Sequence, residues 1–295
     1  MLLNILALLV ALLLARGIAR IIRAVRIWLG RGKDIQRGAD RQLLSPEAVE
    51  SWLAGERLSV KYRSEVFRAT RLMREIYVQT MRIGWYQVVI VFVIGSVLGL
   101  AIEEVWMYVT AGLTQSRVGL VWGPFSPLYG VGAVLLTLIS FALRRKHADD
   151  LQVFLCSVLV GGGLEQFTGW ALNGLFHAQS WSYLHLPDHI TQWIAWRFLL
   201  MWGILGLVWA RAIMPGLLYR IGEPTTPRQV VIVALLAAYL VADVLMTIAC
   251  FERRTARDRG IPARGAFEEW VDNHYTDEFM ANRFQNMAIE GGQTT

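Results

Sequence analysis

Charge and cysteine are scarce in this chain. Only 18% of its 295 residues are Asp, Glu, Lys or Arg, and it has two cysteines. With 55% apolar residues, such a chain cannot keep its apolar surface out of water as an ordinary soluble domain does. Cys156 and Cys250 both lie in apolar stretches and read as buried thiols; no Cys-x-x-Cys pair or Cys/His zinc spacing occurs. Walker A, dinucleotide-fold and nucleophile-elbow patterns are missing too. The chain therefore shows no nucleotide-hydrolysing part of its own, and no cofactor is expected. No internal repeat or low-complexity tract is evident.

What the chain does have is uncharged runs of the length that crosses hydrocarbon, about 20 residues. The clearest are 87–102, 129–143, 151–164, 194 or 198–210, and 229–251. They predict an all-α integral membrane protein, a polytopic helical bundle of five core spans with an N-terminal anchor helix. The expected divisions are an anchor or interfacial helix at 1–29, a basic cytoplasmic amphipathic region at 30–84, a transmembrane core at 85–251, and a polar C-terminal tail at 252–295.

The anchor rests on fifteen uncharged residues followed by Arg16, Arg20, Arg23 and Arg26, which share one helical face. A cleaved signal would carry its positive charge ahead of the apolar stretch. Spanning with snorkelling arginines and lying in the interface both remain open. Between Glu47 and Arg82, Val66, Leu72, Met73, Ile76 and Val78 alternate with Arg68, Arg71, Arg74 and Glu75, the pattern of an amphipathic surface helix.

Residues 16–84 hold fifteen Lys and Arg against seven Asp and Glu. Basic residues beside spans mark the cytoplasmic side, and anionic headgroups rather than nucleic acid are their ordinary partner. Arg144, Arg145, Lys146, Arg211, Arg220 and Arg228 agree with that orientation. The fifth span conflicts with it, since Arg253, Arg254, Arg257, Arg259 and Arg264 crowd its far end. Either it is re-entrant or it is a true span that delivers the tail to the outer face; its 23 residues favour the span.

Ionisable residues inside the runs point to function, because a charge at bilayer depth normally faces a partner, a polar interior or water. Glu103 ends the first run beside Glu104, Glu165 sits in the third, Arg197 near the start of the fourth, and Asp243 in the fifth. Alternating topology puts all four in the outer half. They are expected to line an outward pocket with Arg197 as counter-charge to Glu165 or Glu103; the alternative is a salt bridge that only fixes packing. The segment Gly123-Pro124-Phe-Ser-Pro127-Leu-Tyr129-Gly130 reads as a helix break, either an unwound binding element or a tight outer loop.

Gly99-Leu-Ala-Ile-Glu103, then Gly123 to Gly130, Glu165, Trp181-Ser-Tyr183, Arg197 and Trp202-Gly203 together resemble bacterial membrane proteins grouped as putative ABC-transporter type IV, or CmpB-like. The resemblance runs over roughly residues 86–250. The tail from Phe267 to Met287, with Asp272, Asp277-Glu278 and Asn286-Met287, is similar to members of that group as well. The family's Trp-Asp-Tyr stands here as Trp181-Ser182-Tyr183, so no carboxylate at 182 is expected, and its Asn-Arg-Gly is replaced around Ser116-Arg117-Val118-Gly119. The resemblance implies a permease-like protein of the bacterial cytoplasmic membrane, adds Trp181 and Tyr183 to the candidate pocket, and makes a separate ATPase subunit the implied source of any ATP drive.

Two other classes compete. A membrane scaffold would use residues 16–84 to recruit a partner or anionic lipid. An embedded enzyme would use the connection holding His185, Asp188 and His189, although Pro187 argues against the regular helix that would align them for a metal. Glu165 beside Glu103 is a conceivable base, but no nucleophile stands out, and no catalytic or metal-binding residue is assigned.

Overall fold

Apolar runs become helices, and polar residues set their ends. The computed structural model describes residues 16, 20, 42–54 and 59–289. The expected anchor over 1–29 lies outside the described residues apart from Arg16 and Arg20. The helices are α1 (Pro46–Leu53), α2 (Val60–Thr80), α3 (Trp85–Ala111), α4 (Pro127–Arg145), α5 (Asp150–Phe176), α6 (Trp196–Val208), α7 (Met214–Ile221), α8 (Pro227–Asp258), α9 (Ala266–His274) and α10 (Asp277–Arg283). The two-residue strands β1 (Ala178–Gln179) and β2 (Ala288–Ile289) pair antiparallel. Among the described residues, five helical stretches are long and apolar enough to cross a membrane: α3, α4, α5, Trp196–Ile221 and α8. The protein is an all-α integral membrane protein, and its fifth stretch is one continuous 32-residue helix rather than a re-entrant turn.

Two compact units are present, Met1–Arg82 with Pro215–Glu223, and Ile83–Met214 with Pro224–Thr295. In the first, Ser59 caps α2 by accepting the Tyr62 N–H, and the Glu65 carboxylate accepts from Ser45 at the start of α1. Tyr77 meets Tyr219 edge-on at 5.7 Å. Ahead of Pro215 lies one π-helical turn, Trp209–Ile213. Proline has no N–H for the carbonyl four residues back, and the wider turn absorbs that loss.

In the second unit, small residues let helices approach closely, as they must where lipid gives no hydrophobic drive for helix association. A Cβ added at Gly95 or Gly99 of α3 would overlap Ala133 or Tyr129 of α4, and one at Gly130 would overlap Ser96. Gly161 of α5 leaves space for the Trp202 ring, while Gly203 and Gly206 of α6 accept Phe154 and Ser157. The outer surface is apolar: Leu235, Val241 and Leu245 of α8 are all more than half exposed, a surface suited to hydrocarbon.

The last turns of α8 explain the crowded arginines. Arg253 pairs with Glu268 at 3.1 Å and with Asp272; Arg257 pairs with Asp272 and Asp277; Arg254 reaches Asp258 and Asp277 at 3.6 and 3.4 Å. These charges are internal fastenings that hold α9 and α10 on the end of α8. Val271, Met280 and Phe284 then pack against Cys250 and Phe251 beneath them. Cap, α3–α4 connection and α5–α6 connection share one end of this unit, joined by the β1–β2 pairing and by the Ser116 N–H to Gln285 Oε1 bond.

Candidate functional site

At that end, two polar constellations form around the carboxylates expected from the sequence. The first begins with Glu103 in the last third of α3. Its Oε1 pairs with Arg117 Nε at 2.6 Å, both side chains being largely covered. Tyr129, held in the first turn of α4 by the space at Gly99, interacts electrostatically with the same carboxylate. Deeper, Glu165 of α5 is only 8% exposed and its Oε1 accepts from Trp202 Nε1 at 3.0 Å. The Trp202 ring lies against Gly161 and reaches toward Gly132, so three helices shape its slot. Glu165 Oε2 is buried and has no hydrogen-bond partner.

Tyr183, in the α5–α6 connection, links these groups electrostatically. Burial pushes its phenol above the ordinary range, and the charges of Glu165 and Glu103 push it further in the same direction. Its ring stacks on Phe198 at 4.5 Å, which fixes its position. Glu103, Arg117, Tyr129 and Tyr183 are half-buried, with Glu165 and Trp202 below them. The site is therefore graded from a charged, paired rim to a buried, singly bonded carboxylate.

The second constellation locks the helix break. Asp243 of α8 is 0% exposed; its Oδ1 accepts the Trp122 N–H at 2.8 Å. Thr247 Oγ1 accepts the Val121 N–H at 2.9 Å. From α10, Arg283 donates to the carbonyls of Leu120 and Gly123. Burial pulls the Arg283 guanidinium below its usual range, and the Asp243 charge opposes that pull. Trp122 stacks on Tyr239 at 6.2 Å and donates its indole N–H to Tyr275. Gly123 has φ +64°, a left-handed conformation in which a side chain would also strike Phe125.

The sequence expectations divide accordingly. Glu103, Glu165, Tyr129 and Tyr183 come together. Asp243 and Gly123 belong to the locked connection, where Pro124 is exposed. Arg197 is a correction: it bonds Asp188 at 2.7 Å on an exposed surface, and the Glu103 counter-charge is Arg117. Position explains the exchange, since Arg197 starts α6 beside its own connection, where Asp188 accepts both its backbone and side-chain N–H groups. That hydrogen bonding holds Asp188 below the usual carboxylate range. The unwound reading of the whole 123–130 segment is corrected too: Pro127 is the first residue of α4, a position that suits its missing N–H, so Tyr129 and Gly130 are helical. Trp181 donates from Nε1 to the Trp193 carbonyl at 3.4 Å and braces the connection. His189 turns to the Leu186 carbonyl, and no group of three or more metal-binding side chains occurs among the described residues.

Sequence reading missed Arg117, Trp202 and Arg283 as site residues. Arg117 had a usable signal, a lone cation in the connection following Glu103. Trp202 and Arg283 act through contacts 37 and 160 or more residues away, which no spacing shows.

The family model described as putative ABC-transporter type IV matches residues 90–248, more than half of the chain. The chain belongs to that family. No curated protein and no solved structure matches it. The matched stretch contains Glu103, Arg117, Tyr129, Glu165, Tyr183, Trp202 and Asp243, whereas Arg253 through Arg283 lie beyond it.

Proposed function

We propose that this membrane protein, transport-related by family, is permease-like and that the Glu103–Glu165 cluster binds or carries a small polar or lipid-like ligand from the outer half of the bilayer. The observation that carries the reading is Glu165: a carboxyl buried in a membrane-spanning helix, with one oxygen held by Trp202 and the other unpartnered. Asp243 Oδ2 is unpartnered too, but the Arg283 charge acts on Asp243, whereas among the described residues no cationic side chain acts on Glu165. The reading places the protein in the bacterial cytoplasmic membrane with residues 16–84 inside, for which the family and the basic residues of that stretch are the support. In this reading a separate ATPase subunit supplies any energy from ATP, as the family suggests.

The basic region has its own observation. On α2, Phe67 is 69% exposed and Val60 is exposed as well, with Arg63 and Arg71 on the same helical face. An apolar and basic face suits the anionic surface of a bilayer, which anchors α2 and makes lipid recruitment the second reading.

The test is native mass spectrometry of the full-length chain extracted with its surrounding lipid. Wild type retains a small molecule or lipid that the Glu165→Gln variant loses at unchanged thermal stability. The same retained species in both proteins removes Glu165 from binding and leaves the scaffold reading ahead.

A further inference from the structure

We propose that the ligand of the Glu165 cluster is a small organic cation of the alkylammonium class, and that it exchanges with a proton on Glu165. This rests on the reading that the cluster is a binding site, and it names the ligand's chemistry. The other candidate sites carry their own charge balance. Asp243 has Arg283 as an opposing charge, and Glu103 has Arg117. Glu165 has an indole N–H alone, and among the described residues no cationic side chain acts on it.

An uncompensated carboxylate at this depth is costly, so it takes up either a proton or a mobile cation. The groups around it select the kind of cation. Titratable groups on the packed elements are Glu103 of α3, Arg117 of the following connection, Tyr129 of α4 and Tyr183 of the α5–α6 connection; α6 contributes the Trp202 indole. Arg117 is already committed to Glu103, so it does not neutralise Glu165. Around Glu165 the structure places the Trp202 indole and the Tyr183 phenol rather than a shell of several carboxylates, and no group of three or more metal-binding side chains occurs among the described residues. A metal ion needs such a shell to replace its water, whereas an alkylammonium ion is held by one carboxylate and the faces of Trp and Tyr rings.

The exchange balances in atoms and charge. The neutral carboxyl of Glu165 plus an alkylammonium ion gives the carboxylate–ammonium pair and one released proton, with no bond to carbon made or broken. Binding therefore weakens as the medium becomes more acidic.

Calorimetry of the full-length chain in lipid nanodiscs tests this, with methylammonium, tetramethylammonium, sodium, acetate and glucose as probes. Titrations run in two buffers of different ionisation enthalpy. The expected result is saturable heat with the two ammonium ions and release of about one proton per ion bound. Affinity falls at least tenfold in Glu165→Gln. Glu165→Asp keeps the proton release at reduced affinity, which distinguishes a charge partner from a packing role.

Glu165-dependent binding of sodium, acetate or glucose in place of the ammonium ions overturns the cation class while leaving the cluster a site. Ammonium binding without proton release, or unchanged in Glu165→Gln, overturns the exchange. Heat from none of the probes overturns the ammonium assignment, and the retained-ligand comparison then decides separately whether the cluster binds anything.

Discussion

Two charged regions at the same end of the bundle are built in opposite ways. In the cap, Arg253, Arg254 and Arg257 are matched against Asp258, Glu268, Asp272 and Asp277, with backbone carbonyls taking further donors. In the cluster, the rim pair Glu103–Arg117 is matched but Glu165 below it is not. Paired charges fasten one segment to another. An unpaired buried acid fastens nothing and carries an uncompensated desolvation cost, which is why the proposed role rests on Glu165.

The comparison breaks most visibly if the cap tolerates loss of a partner. Arg253→Ala is expected to cost about 3 kcal/mol, because it leaves Asp272 and Glu268 facing each other around a vacated position. A drop of several degrees in the melting temperature of the monodisperse protein checks this, and an unchanged melt would make the cap ornamental. Next comes the slot of Trp202. Gly161→Ala places a Cβ against the indole ring and is expected to cost about 2 kcal/mol by overpacking. It also displaces the Trp202 donor from Glu165, so ligand retention falls along with the melting temperature.

Acid separates the regions further. The Arg253 hydrogen bond, assisted by Arg257, holds Asp272 below its ordinary carboxylate range. Its contribution is fully present above about pH 4, the unfolded value, and is lost as pH falls through the lower folded value. Hydrogen exchange is expected to show α9 and α10 opening below about pH 4 while α3–α6 stay protected; simultaneous opening would remove the distinction. Glu165→Gln is expected to change stability by less than about 1 kcal/mol, since it replaces an unpaired acid by a neutral isostere and keeps an acceptor for Trp202. Retained ligand is lost all the same. Smallest of all, Arg197→Ala breaks an exposed pair and is expected to leave both melting temperature and retention at wild-type values; lost retention would return Arg197 to the site.

The spans were legible because membrane crossing imposes a length and a composition on local sequence. The 229–251 run lies in one continuous helix for that reason, since a run of that length closes its own backbone hydrogen bonds. The acids were legible as anomalies, since a charge inside an apolar run stands out whatever its partner. Partners were not. Arg197 looked like the natural counter-charge because it sits in a span, yet Asp188, nine residues away in the preceding connection, claims it. Arg117 looked like an ordinary connection residue and is the one that holds Glu103.

The sequence by itself determined that this is a polytopic membrane protein, with five spans among the described residues, which family motif it carries, and which carboxylates are out of place in hydrocarbon. Hydropathy, helix rise and charge cost are properties of short stretches, so they need no fold to be read. Tertiary structure alone decided that Glu103 is neutralised and Glu165 is not, that Arg283 closes the connection held by Asp243, and that Arg253, Arg254 and Arg257 are paired within the protein. Each of those outcomes depends on which side chains meet across helices, and at these separations chain order does not specify the distance.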